Sequence, residues 1–206
     1  MAGRNNRAGK GGGNEKGKEA IGGGTPRVFS SVEKANEFLD SPAFLSSVTK
    51  KDMAQIDKYA SGETPNYAIR YDAEGKKPLS PQMKQYIRDL DVALKKLPAY
   101  KGTVQRGIEV SKSQLDSFLS DYAPGKTMKF PQYLSSGVNF AFTAEGGAPG
   151  TNVTYSIKAR GKRGRAVFNL GQYKADNEVV FERNTPFKIK SVKRSGNSAH
   201  IEMEEA

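Results

Sequence analysis

The chain has 206 residues, of which 36% are hydrophobic and 27% charged, enough for one sizeable core but too few for two full domains. Its 33 Lys and Arg against 22 Asp and Glu give a formal net charge of +11, which favours polyanionic partners such as a nucleotide or a nucleic acid. With no cysteine and His200 as the single histidine, the sequence excludes disulfides, thiolate metal sites and multi-histidine metal centres.

The first 26 residues are rich in glycine and basic side chains and almost free of large apolar ones. Such a segment cannot bury enough apolar surface to offset the entropy lost on ordering, so we predict a disordered tail over residues 1–26. We interpret it as a solvated linker, with contact to RNA or DNA as the alternative. No stretch approaches 18 apolar residues and no apolar signal core follows the first residues, so we expect a soluble protein without a membrane partner.

Residues 27–98 show helical periodicity. The segments "SSVEKANEFLD", "TKKDMAQIDKYA" and "SPQMKQYIRDLDVALKKL" place apolar residues three or four apart. The last is the strongest helix, because Ser80 is a good N-cap, Pro81 suits the first turn and Pro98 ends the pattern. We therefore expect a helical layer over this region.

After Tyr100 the hydrophobic period shifts towards two, with one helical interruption at "SKSQLDSFLSDY". Strands are predicted at residues 103–106, 129–135, 153–158, 165–168, 178–182, 187–193 and 199–203. Helices followed by short strands and glycine-rich connections are typical of an α+β fold with mainly antiparallel sheets. We expect a single domain over 27–206, with a helical region at 27–98 and a β-rich core at 99–206.

Two basic motifs invite a phosphate-binding interpretation. "APGKTMK" at 123–129 ends like a phosphate-binding loop, but the leading glycine is replaced by Ser120 and a strand follows where a helix is required, so a turn is predicted. "KARGKRGR" at 158–165 is interpreted as a charged hairpin tip between two strands, either solvated or contacting a polyanion.

Three further pieces carry a pattern in their order and spacing. They are Arg106-Gly107 in "KGTVQRGIEV", Ser135-Ser136 in "FPQYLSSGV" and Glu178 in "YKADNEVVFERNTPFKI". With this order, the chain resembles the mono-ADP-ribosyltransferases of the Arg-Ser-Glu group, a family of bacterial toxins and phage enzymes. The resemblance spans roughly residues 100–195 and extends into the helical region before them.

The resemblance implies a two-sheet ADP-ribosyltransferase core and an NAD-dependent enzyme that moves ADP-ribose to a macromolecular acceptor. It implies a toxin or effector that leaves its cell without a signal peptide and acts in the cytoplasm of a target cell. A neutralising immunity protein is then expected as a partner. If the protein is not exported, a cytoplasmic enzyme is expected. The alternative is a catalytically decayed fold that binds nucleic acid through its tail and the basic 158–165 segment.

The implied site has two halves. For the NAD half, a guanidinium such as Arg106 gives two charge-assisted bonds to a pyrophosphate. Ser135 would hold the ribose or the catalytic carboxylate, with Gly107 and Ser136 beside it. Phe142, or Phe140, could stack on nicotinamide.

For the catalytic half, Glu178 would stabilise positive charge that develops on the ribose. Asp176 could accept a proton from the incoming nucleophile, and Tyr173 would meet the target. No metal is expected. Because the family usually has Glu or Gln where Asp176 stands, the acceptor stays open between a protein side chain and RNA or DNA.

Overall fold

The computed structural model describes residues 27–138, 151–170 and 177–206. Within them the helices are α1 (Val32–Leu39), α2 (Pro42–Leu45), α3 (Lys50–Ala60), α4 (Asn66–Ala73), α5 (Pro81–Lys96) and α6 (Leu115–Ser120). The strands are β1 (Val28–Phe29), β2 (Ala99–Ile108), β3 (Thr127–Lys129), β4 (Leu134–Gly137), β5 (Val153–Ala166), β6 (Glu178–Phe181), β7 (Pro186–Ser195) and β8 (Ser198–Glu205). No helix among these residues is both long enough and apolar enough to cross a bilayer.

The strands form one hydrogen-bonded network in the order β1-β2-β4-β6-β5-β8-β7-β3, and β2 also pairs with β5. The pairs β1–β2 and β5–β8 are parallel and the others antiparallel, so an α+β fold with mainly antiparallel strands is confirmed. The expected division into two sheets is not what the hydrogen bonds show. β2 pairs with β4, β4 with β6, β6 with β5 and β5 with β2, so these four strands form a closed ring of hydrogen-bonded pairs. All eight strands therefore belong to one continuous sheet.

Local sequence explains the helix ends. Ser80 Oγ accepts from the backbone N–H of Met83 at 3.1 Å and Pro81 occupies the first turn of α5, as predicted. Thr49 caps α3 in a reciprocal box with Asp52, whose carboxylate also accepts from Lys96 Nζ at 2.5 Å. This contact fixes the start of α3 against the end of α5.

The "KARGKRGR" segment was predicted to be a hairpin tip, but it forms the C-terminal half of β5. The chain bends at Gly161 (φ +77°), where a Cβ atom would lie 2.5 Å from Val28 Cγ1. The buried Glu205 carboxylate accepts backbone N–H groups at this bend, including that of Arg160 at 2.7 Å. Arg165 is buried and paired with Glu182 at 2.6 Å, so it is not available to a polyanion.

The other departures are smaller. The predicted strand 129–135 is split into β3 and β4, while β2, β7 and β8 run further than predicted. The "APGKTMK" motif is a turn with Gly125 at φ +87°, followed by β3, as the sequence indicated.

Helices α3, α4 and α5 each contact the chain just before and within β4. Tyr133 is buried, and its hydroxyl donates to Asp91 of α5 at 2.6 Å. The backbone N–H of Tyr133 donates to Asn66 Oδ1 of α4 at 3.0 Å. Tyr59 of α3 packs edge-on against the Tyr133 ring, with centroids 5.6 Å apart. The helical half of the chain therefore fixes the position of β4.

Candidate active site

Arg106 lies on β2 and points to the side that also carries its register partner, the buried Tyr155. Its Nη1 donates to the backbone carbonyl of Ser135 at 2.8 Å. Loss of solvent around the half-buried guanidinium lowers the pKa of Arg106 below its usual value, and the tyrosines nearby, Tyr59 first among them, counter this. The ordinary pKa is so high that the group stays a cation at neutral pH.

Ser135 lies on β4, and its hydroxyl forms a 2.7 Å hydrogen bond with the hydroxyl of Tyr59. Tyr59 is only 4% exposed. Burial, and then the nearby Glu178 carboxylate, raise the pKa of Tyr59 above its ordinary value, so the phenol stays protonated. Ser135 is thus held from two sides: Arg106 binds its carbonyl oxygen and Tyr59 its side chain.

Glu178 begins β6 and is the register partner of Gly137 in β4. Ser135 pairs with Val180 in the same ladder. Because residues two apart in a strand share a face, Ser135 and Glu178 lie on the same face of β4–β6. Arg106 binds the Ser135 carbonyl and Glu178 shares the face of Ser135, so the structure brings the three predicted residues together around Ser135.

Two predicted cofactor contacts are placed differently. Ser136 follows Ser135 and therefore faces the other side of β4, where it is fully buried. Its Oγ has no hydrogen-bond partner among the described residues. The sequence predicts Ser136 beside the ligand together with Ser135. This prediction is corrected here, because the Ser136 side chain points to the opposite side of β4 from Ser135. Gly107 follows Arg106 on β2 and therefore faces the opposite side of the strand, where its register partner is Thr154.

The remaining predicted site residues lie outside the described part of the chain: Asp176, Tyr173, Phe142 and Phe140. Among the described ones, no group of three or more His, Cys, Asp or Glu side chains could hold a metal ion.

The sequence reasoning missed the contribution of α4. Arg70 is exposed on this helix, and its positive charge lowers the pKa of Arg106 further, so the two guanidiniums lie within electrostatic reach of each other. Neither forms an ion pair with a carboxylate of the described residues, which leaves an excess of positive charge suited to an anion. Asn66, one turn earlier on α4, contacts both Tyr133 and Tyr59. Asn66 and Arg70 are four residues apart and therefore share one face of α4.

The arrangement as a whole is a guanidinium with a second positive charge acting on it, a serine held from two sides and a carboxylate, with buried tyrosines around them. Tyr122 and Tyr155 complete the wall beside Arg106, with their hydroxyls 2.9 Å apart. Desolvation raises the pKa of both phenols, so they remain neutral beside the guanidinium. Such a site can bind an anionic group at one end and stabilise developing positive charge at the other.

Known proteins share this fold. The chain is 24% identical to the NAD(+)–protein-arginine ADP-ribosyltransferase Tre1 of Serratia proteamaculans over 186 residues, 89% of this chain and 38% of Tre1. It is 29% identical over 128 residues to the putative NAD(+)–arginine ADP-ribosyltransferase Vis of Vibrio splendidus, 59% of this chain and 49% of Vis. The chain thus spans less than half the length of either relative.

A solved structure of Vis in complex with agmatine superposes with a TM-score of 0.64 at 24% identity, covering 85% of this chain and 84% of the other. Residues 33–205, nearly the whole described region, match the family model of the ADP-ribosyltransferase exoenzymes. The chain belongs to the ADP-ribosyltransferase exoenzyme family.

Proposed function

We propose that this chain is an NAD-dependent mono-ADP-ribosyltransferase that moves ADP-ribose from NAD to a macromolecular acceptor. The single observation that carries the proposal is the convergence at Ser135, whose carbonyl accepts from Arg106, whose hydroxyl is bonded to Tyr59 and which shares a strand face with Glu178. Family membership and the names of the two relatives support the same activity.

The residues present fit NAD. Arg106 and Arg70 repel each other, and a pyrophosphate between them would remove that repulsion while accepting charge-assisted hydrogen bonds. NAD supplies a ribose joined to a positively charged nicotinamide, which departs as a neutral molecule. The bond from Arg106 to the Ser135 carbonyl holds the guanidinium still before NAD arrives, which lowers the entropy lost on binding.

Glu178 is proposed as the catalytic carboxylate. Its negative charge would act most strongly when positive charge develops on the ribose, which is the condition for lowering a barrier rather than for tighter binding alone. Tyr59 stays protonated, and in the arrangement in which it donates to Ser135 Oγ, the Ser135 proton points at the Glu178 carboxylate or at a ribose hydroxyl. Ser135 and Tyr59 are therefore proposed to orient Glu178.

The acceptor half of the site rests on sequence alone. Asp176, two residues before Glu178, is proposed to accept the proton of the nucleophile, with Tyr173 contacting the target and Phe142 stacking on nicotinamide. Ser136 is proposed to support β4 from behind, and Gly107 to let the backbone lie close to the cofactor.

The favoured acceptor is an arginine side chain of a protein. Both relatives are named as arginine ADP-ribosyltransferases, and Vis has been solved with agmatine, which carries a guanidinium. RNA or DNA is the other acceptor class, favoured only by the net charge of +11. We further propose a toxin or effector role inside a target cell, with a neutralising protein as a partner, and a single domain over 27–206 after the basic tail.

The proposal is tested by incubating the protein with NAD labelled in its adenylate and a bacterial lysate. Label should enter macromolecules, and protease rather than RNase or DNase should release it. Nuclease-sensitive label would move the acceptor to nucleic acid while keeping the activity. If no label is transferred and no nicotinamide is released, the decayed, nucleic-acid-binding alternative replaces the enzyme.

A further inference from the structure

The side of β2, β5, β8 and β7 that faces away from the core is polar throughout. Over residues 153–160, β5 alternates between buried residues, such as Tyr155 and Ile157, and solvent-facing ones, such as Ser156 and Lys158. The solvent-facing cations of this surface come from β2, β5 and β7, with the last of them at the bulge in β7: Lys101, Lys158, Arg160, Lys188, Lys193 and Lys190. We call this surface the basic sheet face.

The basic sheet face has a strong excess of positive charge. Its acids are Glu202 and Glu204, and Glu204 is already paired with Arg160 at 2.5 Å and with Lys190 at 3.1 Å. The other four lysines of the face form no ion pair with any residue in the described part of the chain: Lys101, Lys158, Lys188 and Lys193. A depression of about 450 Å³ in the face is lined by three of these cations, by Thr103 and Ser156, and by the two acids of the face, of which Glu204 is already paired with two of the cations.

We propose that the basic sheet face binds the phosphodiester backbone of a nucleic acid. Exposed lysines and neighbouring hydroxyls are the groups that contact phosphate oxygens in such complexes. The basic sheet face exposes charged and hydroxyl side chains and no large aromatic or aliphatic one. The centre of a protein–protein interface, by contrast, is usually built from such apolar side chains. The face therefore fits a polyanion better than an acidic protein.

The surface is distinct from the candidate active site but borders it. Gln105, at the edge of the face on β2, pairs with Gly137, which pairs in turn with Glu178. Two strand spacings, roughly 10 Å, therefore separate the backbone of Gln105 from that of Glu178. Arg106 points to the other side of β2, since its register partner is the buried Tyr155. A nucleic acid bound to the basic sheet face would bring itself, or a protein bound to it, close to Glu178. The binding does not depend on the proposed transferase activity.

The test is binding of a fluorescein-labelled 20-nucleotide RNA, and of a DNA duplex of the same length, measured by anisotropy at several salt concentrations. Wild type is compared with a variant in which Lys101, Lys158, Lys188 and Lys193 are all changed to Gln. The matched control changes Lys34, Lys50, Lys84 and Lys95, exposed lysines of the helical region, to Gln and removes the same charge. A third variant changes the cations of the tail to Gln: Arg4, Arg7, Lys10, Lys16 and Lys18.

We expect the four-lysine face variant to bind RNA at least tenfold more weakly than wild type. The slope of log affinity against log salt should become shallower by about 3, since each phosphate contact to a single strand contributes about 0.7. The helical control should stay within threefold of wild type. Comparing the affinities of wild type for the RNA and for the DNA duplex identifies the nucleic acid that supplies the phosphates, which is the one bound more tightly.

Several results would overturn the proposal. They are an unchanged affinity in the face variant, an equal loss in the helical control, or a loss confined to the tail variant. Binding of polyglutamate as tight as that of RNA would assign the face to an acidic protein instead. Folding of each variant is checked by its melting temperature, and labelling by NAD in parallel separates a failure of this proposal from a failure of the transferase proposal.

Discussion

Arg106 of β2 donates a hydrogen bond of 2.8 Å from its guanidinium to the backbone carbonyl of Ser135 in β4. The two strands share a single register pair, Gln105 with Gly137, so this side-chain bond adds a second link at the point where the predicted motifs meet. Because the acceptor is a backbone atom, changing the Ser135 side chain leaves the link intact. The positions of Arg106 and Ser135 can thus be tested separately.

Arg106→Lys keeps the positive charge but removes the planar fork, so NAD should lose paired hydrogen bonds to its pyrophosphate. We expect the dissociation constant for NAD to rise at least tenfold, about 1.4 kcal/mol, when measured by calorimetry. Arg88→Lys, on the exposed surface of α5, is the control and should bind NAD as wild type does. Equal NAD affinity in the Arg106 variant would remove this residue from the binding site.

Arg70→Gln should affect NAD binding without altering the chemical step, since the positive charge of Arg70 on α4 acts on Arg106 and would add to the attraction for the NAD pyrophosphate. The expected result is a KM for NAD raised about tenfold with kcat within twofold of wild type, the pattern of lost uniform binding. Arg88→Gln again serves as the matched control. A fall in kcat at constant KM would place Arg70 at the acceptor instead.

Tyr59→Phe deletes the hydroxyl that holds Ser135 Oγ at 2.7 Å. If Tyr59 positions Ser135 and through it Glu178, kcat should fall on the order of tenfold while KM for NAD stays within about twofold. Stability should drop by only about 1 kcal/mol, the usual contribution of one hydrogen bond. Tyr86→Phe, which removes a hydroxyl bonded to the Glu63 carbonyl at 3.0 Å, should cost similar stability and leave kcat unchanged. Equal kcat in the two variants would limit Tyr59 to a structural role.

Asp52 provides a test of pH-dependent stability. Burial raises the pKa of Asp52, but hydrogen bonds from Lys96 and Thr49 outweigh it and the net shift is downwards. A carboxyl with a lowered folded-state pKa stabilises the fold above its unfolded pKa of about 3.9, and this contribution is lost as the pH falls through the folded value.

Asp52→Asn should therefore lower the free energy of unfolding by about 2 kcal/mol at pH 7, as measured with urea. The difference from wild type should shrink steadily below pH 4. Asp57→Asn, an exposed change on the same helix, should show no such dependence. A constant difference between pH 7 and pH 2 would contradict the assigned ionic contact.

The sequence predicted those features that depend on nearby residues. Ser80 and Pro81 define the start of α5 locally, and the Arg106, Ser135 and Glu178 motifs could be recognised by their order alone. Helix α4 was missed because it is short and begins after Pro65 without a side-chain cap. Arg70 and Asn66 were missed with it.

Long-range contacts account for the other errors. β5 continues through "KARGKRGR" because the carboxylate of Glu205, more than 40 residues away, accepts the N–H groups freed at the Gly161 bend. Nothing within the segment signals this partner. Likewise, Ser135 and Ser136 are chemically alike in the sequence, and only the pairing of β4 with β6 decides which hydroxyl shares a face with Glu178.

The most direct test of the central claim is the rate of nicotinamide release from saturating NAD by Glu178→Gln, compared with wild type. The substitution keeps the size of the side chain and removes its charge. We predict a loss in kcat on the order of 10²–10³, the usual effect of removing one preorganised electrostatic contact, with NAD affinity and melting temperature close to wild type. Release within threefold of the wild-type rate by the folded variant would contradict the convergence of Arg106, Ser135 and Glu178 on one catalytic site.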